Sequence, residues 1–533
     1  MLAATAAGEA FAIHQSGEQK NMRRVGHVDL QGRSSYQPNF IVYPDGRTIV
    51  FAGTHGGSKP NPLNNGVVEF NGTMIIDATD PAKPFETFHI PVPASGGQAQ
   101  MVRLCLGSDL PGGTAGHVYL LRNIQGSSRS GYEIWDVTNV YQPLPVAALT
   151  GIRSTHKDWW ECNSGIAYMP GSKSTAPLWR QSQSMVIYDW SHPPAPSAPG
   201  SNPASYTYAN YPKYIRTFGL PGGQPGAAGP TPPSLHGAIS AFEHPNAAGR
   251  LARSIDVIGN RIYAAWGVGD DGVLQILDRA KLLSVTTEPA ASSPSEADLL
   301  APQAGILYMS PDQGGHTSMP VFGLQPASYR NFTEFLTRDI VLLASEATAD
   351  LCREAPHWSF IVDVTVENSK TMPPGTRQPP PGTDPQAPRV EQNPWQGPMV
   401  LSTMSVDPRR GEKYPRGNYC TRGARFGVHS SEENFRNPFY GRVTFLAYFT
   451  GGIRAFDIRE PQSPVEVAFY VPESNANTTQ PDGYMTNNVE VDNRGFIYAT
   501  DRNGSGLDIL ELTGKARDIG LGRNGDHDDD HDD

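Results

Sequence analysis

The feature that most limits what this chain can become is a short apolar strand, ending at or near an acidic residue, that returns seven times. It reads Gly72-Thr73-Met74-Ile75-Ile76-Asp77, Tyr132-Glu133-Ile134-Trp135-Asp136 and Met185-Val186-Ile187-Tyr188-Asp189 in the first three copies. Val273-Leu274-Gln275-Ile276-Leu277-Asp278, Ser359-Phe360-Ile361-Val362-Asp363 and Gly452-Ile453-Arg454-Ala455-Phe456-Asp457 follow, and Gly506-Leu507-Asp508-Ile509-Leu510-Glu511-Leu512 is the last. Copies such as the first and sixth continue through a Pro turn into a further strand, Phe85–Pro91 and Val465–Tyr470. The seventh has nothing comparable after it. Upstream of most copies lies a hairpin, as in Asn39–Tyr43 and Thr48–Ala52 around Pro44-Asp45-Gly46, where turn residues separate β-branched and aromatic runs.

A four-stranded unit of this kind cannot bury both of its faces alone, whereas seven stacked in a ring hide them all. The segment Val25-Gly26-His27-Val28-Asp29-Leu30 is short, alternating and otherwise unassigned, and pairing it beside residues 506–512 completes the last unit. The expected fold is therefore all-β: a seven-bladed β-propeller whose last blade is closed by an N-terminal strand. Residues 1–24 read as an N-terminal extension, 25–513 as one propeller, and 514–533 as a disordered acidic tail. Copies recur at steps of about 50 to 95 residues, more than a compact blade needs. The surplus falls in Pro- and Gly-rich stretches at 192–212, 220–250, 282–303 and 368–398, which read as loop inserts.

The repeat resembles that of the LVIVD-repeat propellers, Ile-X-Asp-Val-Thr/Ser-Asp-Pro. Residues 73–90 and 452–471 match best, 132–149 come next, and the likeness extends loosely over 25–512. It implies the propeller architecture and leaves the activity open.

Composition narrows the rest. The formal charge is −11, and six of the eight residues 526–533 are aspartate, so no basic stripe invites nucleic acid. No apolar run is long enough for a membrane-spanning helix, and Met1–Ala7 lacks the charged start and apolar core of a complete signal peptide. The four cysteines allow two disulfides, Cys105–Cys162 and Cys352–Cys420, which would place the protein in the periplasm or outside the cell. Four buried thiols, and a cytoplasmic protein, are the alternative.

Propellers place small-molecule sites where an outer strand leads into the next inner strand. One histidine recurs there in four consecutive units: His156, His236, His316 and His429. Converging imidazoles suit one divalent ion such as zinc, iron or copper, while carbonyl-rich channel ends instead hold a hard ion such as calcium. At the level of fold the arrangement is similar to the four-histidine iron site of the carotenoid-cleaving oxygenases and to the copper site of the selenium-binding-protein propellers. Ordinary turn histidines are the plainer reading. Asp158 or Glu161 is expected to move a proton, with His429 and Arg425 also catalytic. Trp159 and Trp160 either wall an apolar pocket or pack between blades. Arg103, Arg253 and Arg422 either bind substrate oxygen or form buried ion pairs. His55, at the end of a second strand, is expected on the opposite face.

The leading expectation is a metal-dependent hydrolase or lyase acting on a small, partly apolar or aromatic organic substrate at the channel mouth. A metal-dependent oxidase or oxygenase is one alternative, and a non-catalytic exported binding or scaffold propeller is the other.

Overall fold

The computed structural model describes residues 18–523 apart from 127–128, 202–206, 209, 246–257, 286, 330–336, 366, 368–396 and 480–482. Its strands group into seven antiparallel four-stranded units, the last two joined into one sheet through the Phe449–Thr486 pair. Blade 1 comprises Ser35–Val42, Thr48–Thr54, Gly72–Asp77 and Phe85–Pro91, and blade 2 Val102–Leu106, Val118–Ile124, Gly131–Asp136 and Leu144–Thr150. Blade 3 comprises Trp159–Trp160, Ile166–Lys173, Ser184–Asp189 and Lys213–Phe218, and blade 4 Leu235–Ser240, Arg261–Trp266, Val273–Asp278 and Gln303–Tyr308. Blade 5 takes Thr317–Leu324, Arg338–Ala344, Ser359–Asp363 and Met399–Met404, and blade 6 Phe426–Ser431, Val443–Phe449, Ile453–Asp457 and Val465–Tyr470. Blade 7 is Thr486–Val491, Ile497–Asp501 and Leu507–Leu512, completed by Met22–Val28 from the other end of the chain. Each inner strand packs beside the next, and that of blade 7 lies beside that of blade 1, so the ring is closed.

Strand alternation explains why the blades must stack. In blade 1, Val50, Ala52, Met74 and Ile76 pack toward Tyr498, Leu507 and Ile509 of blade 7. Their neighbours Ile49, Phe51 and Ile75 face the other way, toward Val102, Val118 and Leu120 of blade 2. Both faces of the strand are dry, and each such aliphatic side chain contributes about 1.5–3 kcal/mol by leaving water. A blade alone would expose both of these faces.

The N-terminal strand closes the ring beside the last strand, as expected. Met22 pairs with Leu512 and Val28 with Leu507, across one bulge between Arg24 and Gly26. The closing strand begins earlier than the expected boundary at residue 25, and Gln19–Lys20 adds a fifth strand against Phe469–Tyr470 of blade 6.

Two expected loop regions and the start of the expected disordered tail carry structure. The stretch 220–250 contains Leu235–Ser240, the inner strand of blade 4. The stretch 282–303 holds the helix Glu296–Leu300, opened by a Ser295/Asp298 capping box. Gly514–Leu521, assigned from sequence to the tail, is a helix whose Ala516 is buried and whose Gly520 lies against Phe439. A hairpin that the repeat does not contain, Ser58–Asn61 with Val67–Phe70, projects between the second and third strands of blade 1. Residues 368–396 and 524–533 lie outside the described residues.

Both disulfides form. Cys105–Cys162 ties blade 2 to the end of the inner strand of blade 3, and Cys352–Cys420 ties the loop after the second strand of blade 5 to the segment before blade 6. No described helix is long and apolar enough to cross a membrane.

Candidate functional site

Inner strands run from one face of the ring, the mouth, toward the other. At the mouth the regular ladder fails repeatedly. Blade 1 has one extra residue within Tyr36–Gln37, blade 4 one at His236, blade 6 two within residues 427–429, and blade 7 one within Asn487–Asn488. Such bulges re-aim side chains, and here they mark Tyr36, His236 and His429. Gly427, at φ 141°, makes the blade 6 bulge feasible, since a side chain there would be strained and would meet Ala347. His316 precedes its strand and is anchored by its N–H donating to the Ala344 carbonyl at 2.8 Å. Gly314 permits that approach, because a Cβ there would stand 1.9 Å from the Val268 oxygen.

The four histidines expected at this end do meet. Ring centroids are 4.2 Å apart between His156 and His236, 3.7 Å between His236 and His316, and 4.3 Å between His316 and His429. Tyr36 stands among them, edge-on to His156 and His429 at 5.5 and 5.3 Å. Its hydroxyl is 3.3 Å from His429 Nε2 and 3.5 Å from His316 Nε2. Glu346 completes the group, with Oε2 3.4 Å from His316 Nε2 and Oε1 3.7 Å from His429 Nε2. His236, His316 and Glu346 each offer a donor atom, all within 4.8 Å of one another.

Two of these rings are oriented by the backbone. His236 Nδ1 bonds to the His316 carbonyl at 3.0 Å and His429 Nδ1 to the Asn487 carbonyl at 2.5 Å, so each Nδ1 carries the proton and each Nε2 keeps its lone pair. His156 Nδ1 and His316 Nδ1 are buried with no hydrogen-bond partner among the described residues. Burial above all pushes His236, His316 and His429 well below the ordinary histidine range, and His156 down to about 3. All four are therefore neutral at physiological pH. Burial raises the Glu346 carboxyl, opposed chiefly by the Arg425 guanidinium, which bonds to it at 2.9 Å. Arg425 also lies over the Phe449 ring.

His55 corrects the expected placement. A second strand runs antiparallel to the inner one and returns to the mouth, so its end lies there too. His55 is 5.0 Å from the Tyr36 ring, with Nδ1 3.0 Å from the Gln100 amide nitrogen. Glu346 and Arg502 occupy the matching position just after the second strands of blades 5 and 7. Sequence reading passed over both, although strand direction alone would have indicated them. Burial lowers Arg502, and the nearby charges of Arg425 and Glu346 bear on it in opposite senses.

The remaining expected residues lie elsewhere. Asp158 is buried deeper, with both carboxyl oxygens lacking hydrogen-bond partners among the described residues, and burial pushes it up to about 7. Around it runs a second polar layer. Glu433 pairs with Arg103 at 2.8 Å and Lys157 at 2.7 Å, while its backbone N–H faces Glu490. Glu161 is in the wall between blades 3 and 4, accepting hydrogen bonds from Ser164, Tyr168, Ser240 and the guanidinium of Arg279. A carboxylate so fully engaged has no lone pair left for substrate. Trp160 packs between blades 2 and 3 and Trp159 stacks beneath Arg103, and both indoles border a cavity of about 170 Å³ with Arg103, Asn39, Glu243 and Glu490. Arg422 is held by Glu18 at 2.8 Å and by the Gly417 carbonyl, away from the histidines. Arg253 lies outside the described residues.

No protein-family profile matches the sequence, and no curated protein matches it. Solved structures of similar shape include U3-55K, with a TM-score of 0.44 at 10% identity over 92% of this chain and 98% of that one. A hypothetical selenium-binding protein from Sulfolobus tokodaii gives 0.45 at 9%, over 86% and 91% of the two chains. The Cps50 (Swd1) β-propeller domain of Myceliophteria thermophila gives 0.39 at 9%, over 90% and 97%.

Proposed function

We propose that the chain is a metal-dependent enzyme whose site is the histidine cluster at the mouth of the channel, and that it hydrolyses or eliminates from a small, partly apolar organic substrate. The observation that carries this reading is the convergence of His236, His316 and Glu346 donor atoms within 4.8 Å, with two neighbouring imidazoles fixed through Nδ1 to backbone carbonyls. Carbonyl anchoring of the far nitrogen is how metal-ligating histidines are oriented. A neutral, nitrogen-rich set with one carboxylate suits zinc, iron or copper better than calcium. Such an ion polarises a carbonyl or lowers the pKa of a bound water.

The chain's own groups supply the rest. Glu346, raised by burial yet held by Arg425, is placed to take up or return a proton beside the ion. Arg502, which makes no ion pair among the described residues, is the guanidinium available to orient an anionic oxygen of the substrate. The two disulfides fit an oxidising compartment, and we place the protein in the periplasm or outside the cell. The number of imidazoles also favours a second version, oxidation with O₂ at iron or copper.

Metal analysis of the purified full chain tests both. Stoichiometric zinc supports hydrolysis or elimination, and stoichiometric iron or copper supports oxidation. Exchanging His236 and His316 for Ala is expected to weaken binding by at least about 100-fold. A wild-type chain that takes up none of these ions refutes the reading and leaves a binding or scaffold propeller.

A further inference from the structure

We propose that the phenol oxygen of Tyr36 is itself a ligand at this centre, which would then rest on an anionic oxygen from blade 1 as well as on imidazoles. The proposal depends on the metal-binding reading above. Its basis is the spacing of donor atoms. Tyr36 Oη is 3.3 Å from His429 Nε2 and 3.5 Å from His316 Nε2, while Glu346 oxygens stand 3.4 and 3.7 Å from the same two nitrogens. An ion with bonds of about 2.0–2.1 Å in a tetrahedral shell sets its donors roughly 3.3–3.4 Å apart. Four donor-to-donor distances lie within about 0.4 Å of that spacing, and Tyr36 Oη takes part in two of them.

The hydrogen bonds from Tyr36 to the two imidazoles are long. An O–H donor well seated on a nitrogen approaches to about 2.8 Å, and Tyr36 makes no approach that close to either imidazole. Nor is the residue there as apolar filling, since histidines of four blades surround its ring. Its backbone is fixed at the mouth by the blade 1 bulge and by the Thr500 hydroxyl, which bonds to the Tyr36 carbonyl. A phenol is a poor ligand until it ionises. Coordination resolves this: the O–H bond breaks, an oxygen–metal bond forms, and one proton leaves for solvent.

The experiment uses the full chain and its Tyr36→Phe variant, each loaded with Fe³⁺, Cu²⁺ or Zn²⁺, with bound metal measured separately. Wild type carrying Fe³⁺ or Cu²⁺ is expected to show a visible phenolate-to-metal charge-transfer band that the variant lacks. Binding of Zn²⁺ should release one proton more from wild type than from the variant, and the variant's affinity should fall about 10- to 100-fold. Identical spectra and proton counts in two metal-loaded proteins overturn the ligand role and leave the metal reading intact. Failure of wild type to bind any of the three ions overturns both. Should the variant not fold, the wild-type spectrum decides, because a metal-loaded wild type without the band excludes Tyr36.

Discussion

Replacing His27 by Gln should loosen the seam that closes the ring, and only at pH values where the imidazole is charged. His27 lies on the closing strand, with Nδ1 2.7 Å from Asp508 and Nε2 2.9 Å from Asp29. Burial works against the imidazolium and is the largest single influence, but the two carboxylates together outweigh it and lift the group to about 9. Because the folded value lies above the ordinary 6.5, the stabilisation is complete below about pH 6.5 and is lost as pH rises through about 9. The full shift corresponds to a ceiling of about 3 kcal/mol. His27 is 28% exposed and Asp29 58%, so solvent screening reduces this to about 1–2 kcal/mol. That is about a 5- to 30-fold change in the opening constant of the seam.

Amide hydrogen exchange across Leu507–Leu512 reads this directly, with wild type and variant compared at equal pH so that intrinsic exchange chemistry cancels. At pH 6 the variant should lose protection by about 5- to 30-fold, and near pH 10 the two proteins should converge. Val118–Ile124 in blade 2, remote from the seam, should be unaffected. Equal protection at pH 6, or a difference that persists at pH 10, would refute the reasoning.

Glu161→Ala leaves Arg279 without its buried carboxylate and should cost about 3–5 kcal/mol in urea unfolding, with bound metal unchanged, because the residue belongs to the wall between blades. Glu490 is raised to about 8 by burial first and by Glu433 next, so folding incurs a growing penalty as pH climbs past the ordinary carboxyl value. Glu490→Gln should therefore raise the unfolding midpoint at pH 7–8, an advantage that disappears near pH 4. The Cys352–Cys420 bond closes a 68-residue separation, and its reduction should remove about 4 kcal/mol from stability by the chain-entropy relation, read as a lower denaturant midpoint. The same reduction should weaken metal binding, since this disulfide braces the loop carrying Glu346 beside Arg425.

The ring was legible in the sequence because its signal is local and repeated. Apolar alternation marks each strand, Asp at the strand end marks the turn in six of the seven copies, and the unassigned alternation around His27 marks the closing strand. The helix Gly514–Leu521 escaped notice because only one side of so short an element is buried and its neighbours are aspartates. The first strand of blade 4 escaped because Pro and Gly surround it on both sides. Among functional residues, the four histidines stood out because their residue type is uncommon and their position recurs. Tyr36 did not, since one tyrosine among 21 near a strand start carries no distinguishing pattern.

Strand geometry also explains why acidic residues next to a good candidate in sequence turned out far from it in space. An extended chain advances about 3.3 Å per residue, so Glu161 lies roughly 16 Å along the strand path from His156, which is most of the depth of the channel. Asp158 stops about halfway, level with the Lys157–Glu433 pair. Residues that share an inner strand are therefore separated along the channel axis, whereas residues at the same depth on different blades are neighbours. The carboxylate that accompanies the histidines must come from another strand that reaches the mouth, and Glu346 does so from the second strand of blade 5. The same rule brings His55 and Arg502 to that level from blades 1 and 7. In a closed ring, depth along the channel is the coordinate that defines a site, and sequence proximity works against it.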